Sequence, residues 1–488
     1  MTQFSPMLPA TTRRPNTLIS YAGAILLACG IAGGCAHFQP EPLAPRKTAD
    51  AFESRGLDDP GLQAFLRQNG VPGTEVPRRW DLNSLTWAAF YYQPDLAVAR
   101  AQWSSASAGE ITAGQRPNPS VSLTPAYDRG IPDNPSPWSV LVPLDVPIET
   151  AGKRDYRMAQ ARALSDAAHW TLVEAIWKAR GRVRDALLAL QGTGRTQGLL
   201  DGQEQAQARL VGLMEGQLKA GNVSAYEVAQ ARIVLETDQL ALQDAQRQST
   251  EAGTQLAEAL GVPRKALEGV QFRFEPLEVS PTGLTQPEAR RAALLDRADV
   301  REVLAQYAAK QAALQLEIAN QYPDVHLGPG YGWNPGSAGD SQWQLGLTLT
   351  LPVLNRNEGP IAEALAGRKE AAARFLAVQA QAMGDVDGAL ASYEEARSQS
   401  ATSSALAEDL RRNLDSVRAM QKAGEADPLA VAGEEAQYYG SAVALVGTLV
   451  RARQALGALE DATESPLVLQ DSAVKSAEQV PTPTASTK

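Results

Sequence analysis

Bulky and reactive side chains are in short supply. Aromatics make up 6% of the 488 residues while alanine is abundant, which gives too little bulk for a thick globular core and suits long helices packed through small side chains. Cysteine occurs twice, at Cys29 and Cys35, both at the extreme N-terminus, so the rest of the chain has no disulfide framework. The histidines, His37, His169 and His326, are scattered, and no spacing of metal ligands is present. Concentrated Lys and Arg are missing as well: the formal charge is −10, which excludes a nucleic-acid partner. Neither a nucleophile elbow nor a phosphate-binding glycine loop occurs, and pairs such as Glu394-Glu395 read as solvated helix faces. Catalysis has no candidate residues, and no cofactor is expected.

What is there begins with an address. Arg13 and Arg14 precede an apolar, small-residue run from Leu18 to Ile31, too short to span a bilayer comfortably and laid out like a secretory signal. Ala32-Gly33-Gly34-Cys35 resembles a bacterial lipobox. Residues 1–34 then read as a removed signal peptide and Cys35 as the site of a covalent lipid. An ordinary signal peptide with an incidental cysteine is the alternative. Ala36 follows where an aspartate would favour inner-membrane retention, which points outward. Residues 35–80, rich in proline, read as the lipid anchor and an extended strap. Residues 464–488 read as a disordered tail.

Between them the chain is a tandem duplication. Pro119, Pro125 and Tyr127 recur 204 residues later as Pro323, Pro329 and Tyr331. Trp138 and Pro147 recur at 205 as Trp343 and Pro352, and Lys219-Ala220-Gly221 at 203 as Lys422-Ala423-Gly424. The repeats span 81–280 and 281–463. Each has a helical stretch, two segments of period two, and then a long helical hairpin. From Trp343 to Leu351 the odd positions are Trp343, Leu345, Leu347, Leu349 and Leu351, against Gln344, Gly346, Thr348 and Thr350. Four such segments, at about 119–128, 137–147, 323–333 and 341–352, are long enough to cross a bilayer as tilted strands.

Periodicity alone also admits a small soluble sheet with one buried face. The lipoprotein signal and the Trp and Tyr residues near strand ends favour a barrel. Four strands cannot close one, so several chains must contribute. Over about 155–220 and 361–422 apolar residues recur at spacings of three, four and seven, as in Leu172, Ile176, Val183 and Leu187 or Leu406, Leu410, Leu414 and Val417. This predicts rods on the order of 100 Å. Gly192, Gly194, Gly198 and Gly202 each cost about 1 kcal/mol against alanine, so the first rod is expected to bend or break there.

Paired strands, long rods, a duplication and a lipidated cysteine together resemble the TolC-like outer-membrane efflux channel family, from about Leu57 to Asp461. Val146-Pro147-Ile148-Glu149-Thr150-Ala151-Gly152-Lys153-Arg154 and Leu351-Pro352-Val353-Leu354-Asn355-Arg356-Asn357-Glu358-Gly359 look like its heavy-metal cation branch. Arg116-Pro117-Asn118-Pro119 also matches the family. The resemblance implies a mainly α fold with transmembrane β: a homotrimer whose 12-stranded barrel, set in outer-membrane lipid, continues into an α-helical periplasmic tunnel. It also implies two partners, a periplasmic adaptor and an inner-membrane proton-driven pump. The cargo would be heavy-metal cations or, alternatively, drugs and other small molecules.

By the same resemblance, adaptor docking falls on the hairpin tips Gly221, Asn222, Val223, Ser224 and Gly424, Glu425, Ala426, Asp427, residues that a tight helix-turn-helix would need anyway. The family's acidic constriction falls on Glu227. The matching positions of the second repeat are Ala430 and Gly433, which leaves Glu434 and Glu435 as its candidates. Two rivals fit less well. A lipoprotein adaptor would show one hairpin and small soluble β-domains, and a lipid-anchored hydrolase would need catalytic residues.

Overall fold

Proline lacks the N–H that a first helical residue leaves unbonded, so it starts helices as readily as it stops them. Both α1 (Pro45–Glu53) and α2 (Pro60–Gln68) open this way, and Asp59 caps α2 by accepting from Leu62 N. Pro45 and Pro60, two of the prolines that read as an extended strap over 35–80, therefore begin helices, and over Pro45–Glu53 and Pro60–Gln68 that expectation is corrected. The computed structural model describes residues 38–71, 79–127, 129, 137–278, 286–334 and 340–467. The signal segment, Cys35 and the tail beyond Leu467 lie outside the described residues. Two compact units divide the chain, Met1–Ser54 and Arg55–Lys488.

The second unit carries the repeats. The first runs through β1 (Arg79–Trp80), α3 (Leu82–Tyr92), α4 (Pro94–Gly114), β2 (Ser120–Val121), β3 (Thr124–Tyr127), β4 (Trp138–Ile148), α5 (Lys153–Lys219) and α6 (Ala225–Leu260). After β5 (Gln271–Phe272) the order returns as α7 (Gln286–Leu295), α8 (Ala298–Ala319), β6 (Val325–Asn334), β7 (Asp340–Leu349), α9 (Glu358–Lys422) and α10 (Pro428–Thr463). The boundary expected at 280/281 lies outside the described residues. Periodicity gave no hint of β1 and β5, which pair in parallel through Arg79↔Gln271 and Trp80↔Phe272.

At 67 and 65 residues, α5 and α9 are each on the order of 100 Å long. The break expected in α5 at Gly192–Gly202 does not occur. A Cβ on Gly192 would lie 2.7 Å from Val450 Cγ2, and one on Gly202 would lie 2.6 Å from the Tyr439 ring. These glycines let α10 approach α5, and packing outweighs their poor propensity. Two helices accompany α5 in succession on the same rod: α4 beside its start, with Ser107 Oγ 3.1 Å from Ser165 Oγ, and α6 beside its end, with Gln207 Nε2 donating to Ala231 O. Arg154 and Arg157 cap α4 by donating to Gly114 O and Ala113 O, where cations complement a helix C-terminus. Small residues dominate these contacts, with Ala179, Ala186, Ala206, Ala231, Ala245 and Ala252 all buried.

The other strands form one antiparallel sheet in the order β2/β3, β4, β6, β7. The first expected strand is split in two, yet both pieces hold one register against β4: Val121 faces Leu144 and Thr124 faces Leu141. The gap falls at Pro143, which accepts from Ser122 N (3.0 Å) but has no N–H to return. β4 and β6 keep register across a similar interruption beside Pro329, and β6 pairs with β7 from Val325↔Leu349 to Asn334↔Asp340.

Candidate functional site: sheet, junctions and tips

Period-two alternation separates the sheet's faces. Val142 sits opposite Tyr331, Val146 opposite Leu327, Leu347 opposite Leu327 and Trp343 opposite Tyr331, so apolar rows meet apolar rows across the strands. Tyr127 packs edge-on to Trp138, and Tyr331 lies beside Trp343, which gathers aromatics at one end. Thr348 and Gln344 lie on the opposite face with His326 and Asp145, and His326 Nδ1 is 3.1 Å from both Asp145 oxygens. The outer edges of β2/β3 and β7 pair with nothing among the described residues.

Each strand pair feeds a rod through a left-handed turn. Gly152 (φ 71°) precedes α5, and Asn357 (φ 62°) precedes α9. The first junction is closed by polar contacts: Lys153 Nζ to Asp324 (2.8 Å), Arg157 to Glu149 (2.6 Å), and Thr150 Oγ1 donating to Pro323 O.

The turns that join each rod to the next helix lie at 220–224 and 423–427. Gly221 (φ 76°) and Gly424 (φ 81°) hold the left-handed angle that ends each rod, an angle glycine adopts without the usual penalty. Ser224 then caps α6, and Glu227 closes a capping box by accepting from Ser224 N (2.7 Å). The Ser224 N–H and hydroxyl stabilise the carboxylate and hold Glu227 below the usual acid range, so its charge persists. Asp427 caps α10 alone, accepting from Ala430 N (2.7 Å), and Pro428 takes the first helical position.

Glu434 and Glu435 occupy adjacent positions near the start of α10. Burial raises the Glu435 carboxyl, but Arg418 (2.7 Å) and Arg209 outweigh it and leave the group below its ordinary range. Glu435 thereby ties α5, α9 and α10 together through its two arginine partners. Among the described residues no cluster of His, Cys, Asp or Glu is placed to hold a metal ion.

A further cluster lies where α10 ends. Arg180 is 1% exposed and pairs with Glu460 (3.0 Å), while Arg184 grips Asp461 through two bonds of 2.9 and 2.7 Å. Gly457 leaves the space for that guanidinium, since a Cβ there would lie 2.3 Å from Arg184 Nε. Beyond it, Glu464 accepts from Ala298 N (2.6 Å), so the first residues of the expected tail are docked. Burial pushes Glu464 up to about 7, against the lowering effect of that bond. Sequence reasoning missed this cluster, although a signal existed. Arg180 and Arg184 follow Ile176 at helical spacing, which puts charge on the buried stripe where it needs a partner.

Known proteins show the same organisation. A family model for outer membrane efflux protein matches residues 89–262 and again 289–463. The pyoverdine export outer membrane protein OpmQ of Pseudomonas aeruginosa is 25% identical over 363 residues, covering 68% of this chain and 72% of its own. The cobalt-zinc-cadmium resistance protein CzcC of Cupriavidus metallidurans is 23% identical over 283 residues, covering 58% and 65%. Among solved structures, the outer membrane protein VceC of Vibrio cholerae superposes with a TM-score of 0.64 at 20% identity, over 79% of this chain and 96% of that one.

Proposed function

The chain belongs to the outer membrane efflux protein family, and from that premise we propose that three copies close a 12-stranded barrel and continue it as a periplasmic tunnel that releases heavy-metal cations. The protein is an efflux duct of the outer membrane that reaches into the periplasm, and not an enzyme. One observation carries the trimer: a two-faced antiparallel sheet whose two outer edges are unpaired among the described residues, joined to two long rods. In lipid, unpaired N–H and C=O groups have no water to bond, and closure by identical copies satisfies them. Cys35 carries the lipid. The tips at Gly221–Ser224 and Gly424–Asp427 meet a periplasmic adaptor, which couples the duct to a proton-driven inner-membrane pump. A ring of three Glu227 carboxylates favours cations at the periplasmic end.

Likeness to CzcC and the two junction motifs support metal cargo. Likeness to a pyoverdine exporter over a larger share of the chain favours a second reading, a duct for small organic molecules. Leu347→Arg should block trimer assembly, at about 2–4 kcal/mol for arginine near mid-bilayer, while Thr348→Arg should assemble and change conductance. Equal tolerance at both positions would overturn the barrel. For cargo, cells lacking the protein should retain cobalt, zinc or cadmium until complemented. Retention of organic compounds alone would give the second reading the place of the first.

A further inference from the structure

Beyond its likeness to the metal branch, the segment after β7 has no physical task in this scheme. In Leu351-Pro352-Val353-Leu354-Asn355-Arg356-Asn357, Leu351 is 65%, Val353 73% and Leu354 99% exposed. Its backbone is nonetheless fixed. Val353 N donates to Leu351 O (2.9 Å), and Asn357 N donates to Asn355 Oδ1 (2.8 Å). Asn357 Nδ2 donates to both the backbone and side-chain oxygens of Glu317 on α8 (2.8 and 2.7 Å). A turn this well bonded presents its leucine to the surroundings by construction, and a contiguous apolar patch in water calls for something to cover it.

The duplication supplies an internal control. In the first repeat, 205 residues earlier, Glu149 stands in place of Leu354 and Thr150 in place of Asn355. Glu149 pairs with Arg157, and Thr150 bonds to Asp324 and Pro323. A left-handed turn thus serves both junctions; Ile148, 42% exposed, stands in place of Val353, and the group that only the second junction offers is Leu354, where the first has a paired carboxylate.

We propose that the second junction is a membrane prong, seating Val353 and Leu354 in the periplasmic leaflet of the outer membrane where the barrel ends. Lipid is favoured as the occupant by two observations. Leu351, two residues past the end of β7, continues the alternation of Trp343, Leu345, Leu347 and Leu349, the row that the barrel reading turns towards lipid, and this inference rests on that reading. Arg356, exposed two residues beyond Leu354, supplies a cation for phosphate headgroups. Apolar groups held at such a boundary bury into the zone where headgroups meet acyl chains. Each copy would then fix the depth of its own rods.

The test is a polarity-sensitive fluorophore on Leu354→Cys, in the full-length trimer reconstituted into phosphatidylethanolamine–phosphatidylglycerol vesicles. The unsubstituted protein serves as the labelling blank. Emission should shift to the blue and be quenched strongly by a lipid nitroxide near the headgroup and weakly by aqueous iodide. Strong iodide quenching overturns the prong, and so does a blue-shifted label that neither quencher reaches, which would mean cover by protein. The same label on Leu347→Cys, read with a nitroxide placed deep on the acyl chain because position 347 lies near mid-bilayer, separates the two readings. If lipid nitroxide reaches position 347 and not 354, the prong alone fails. If it reaches neither, the barrel reading fails too.

Discussion

α5 and α9 are nearly equal in length and occupy matching places in the two repeats, yet one is wrapped and the other is bare. α4, α6, α8 and α10 pack along α5 and bury residues through much of its length, including Ile176, Val183 and Leu187. α9 is lined mainly by α8 and α10, and its buried residues are Ala382, Val386, Ala407 and Leu414. Leu376 and Leu406 on α9 are more than half exposed. Duplicated sequence therefore gives duplicated secondary structure without duplicated burial. Within one chain α5 is the axis of the packing, and the open flank of α9 suits contact with further copies.

The sharpest way to break that contrast is to truncate one leucine on each rod. Leu187→Ala should destabilise the folded chain by about 2–5 kcal/mol through lost transfer energy and a cavity. Leu406→Ala should leave chain stability nearly unchanged and weaken trimer formation. Denaturation followed by circular dichroism, beside sizing in detergent, reads the two effects separately, and equal losses of stability would remove the distinction.

Gly457→Ala should come next. The new methyl would displace the Arg184 guanidinium from Asp461, costing about 2–4 kcal/mol net of the gain in helix propensity. Gly433→Ala, where a Cβ meets open space, should be neutral or stabilising.

A smaller effect concerns Glu464, whose acidity is weakened to about 7 by burial. A carboxyl with a raised folded value binds its proton more tightly when folded. Stability should therefore fall as pH rises from the ordinary glutamate range to about 7 and level off above it. Glu464→Gln should match the wild type near pH 4 and exceed it at pH 8, by ~1–3 kcal/mol. A thermal-melting series across that range checks the sign.

The two tips give the smallest difference. Asp427→Ala removes the side-chain cap of α10 and should cost about 1 kcal/mol. Ser224→Ala should cost less, because Glu227 still accepts from the Ser224 N–H. Hydrogen exchange at Ala430 and Glu227 amides would rank them.

Much of this was legible because it depends on local rules. The spacing of Leu172, Ile176 and Val183 fixes a helix by its own period, the alternation around Leu347 fixes a strand and its two faces, and Gly221 and Gly424 mark turns through their backbone freedom. Proline was harder to read. The same residue that looked like strap in Pro45 and Pro60 starts helices there, and Pro143 interrupts a ladder without shifting its register.

The sequence by itself determined the duplication, the elements and their polarity, because period and turn chemistry act over a few residues. Only the tertiary structure decided which rod is buried, that Gly192 and Gly202 are packing positions and not breaks, and that Glu435, Arg180 and Arg184 meet partners more than 200 residues away. Those outcomes depend on which side chain of a distant helix arrives at each position, and no periodicity within a single element encodes that.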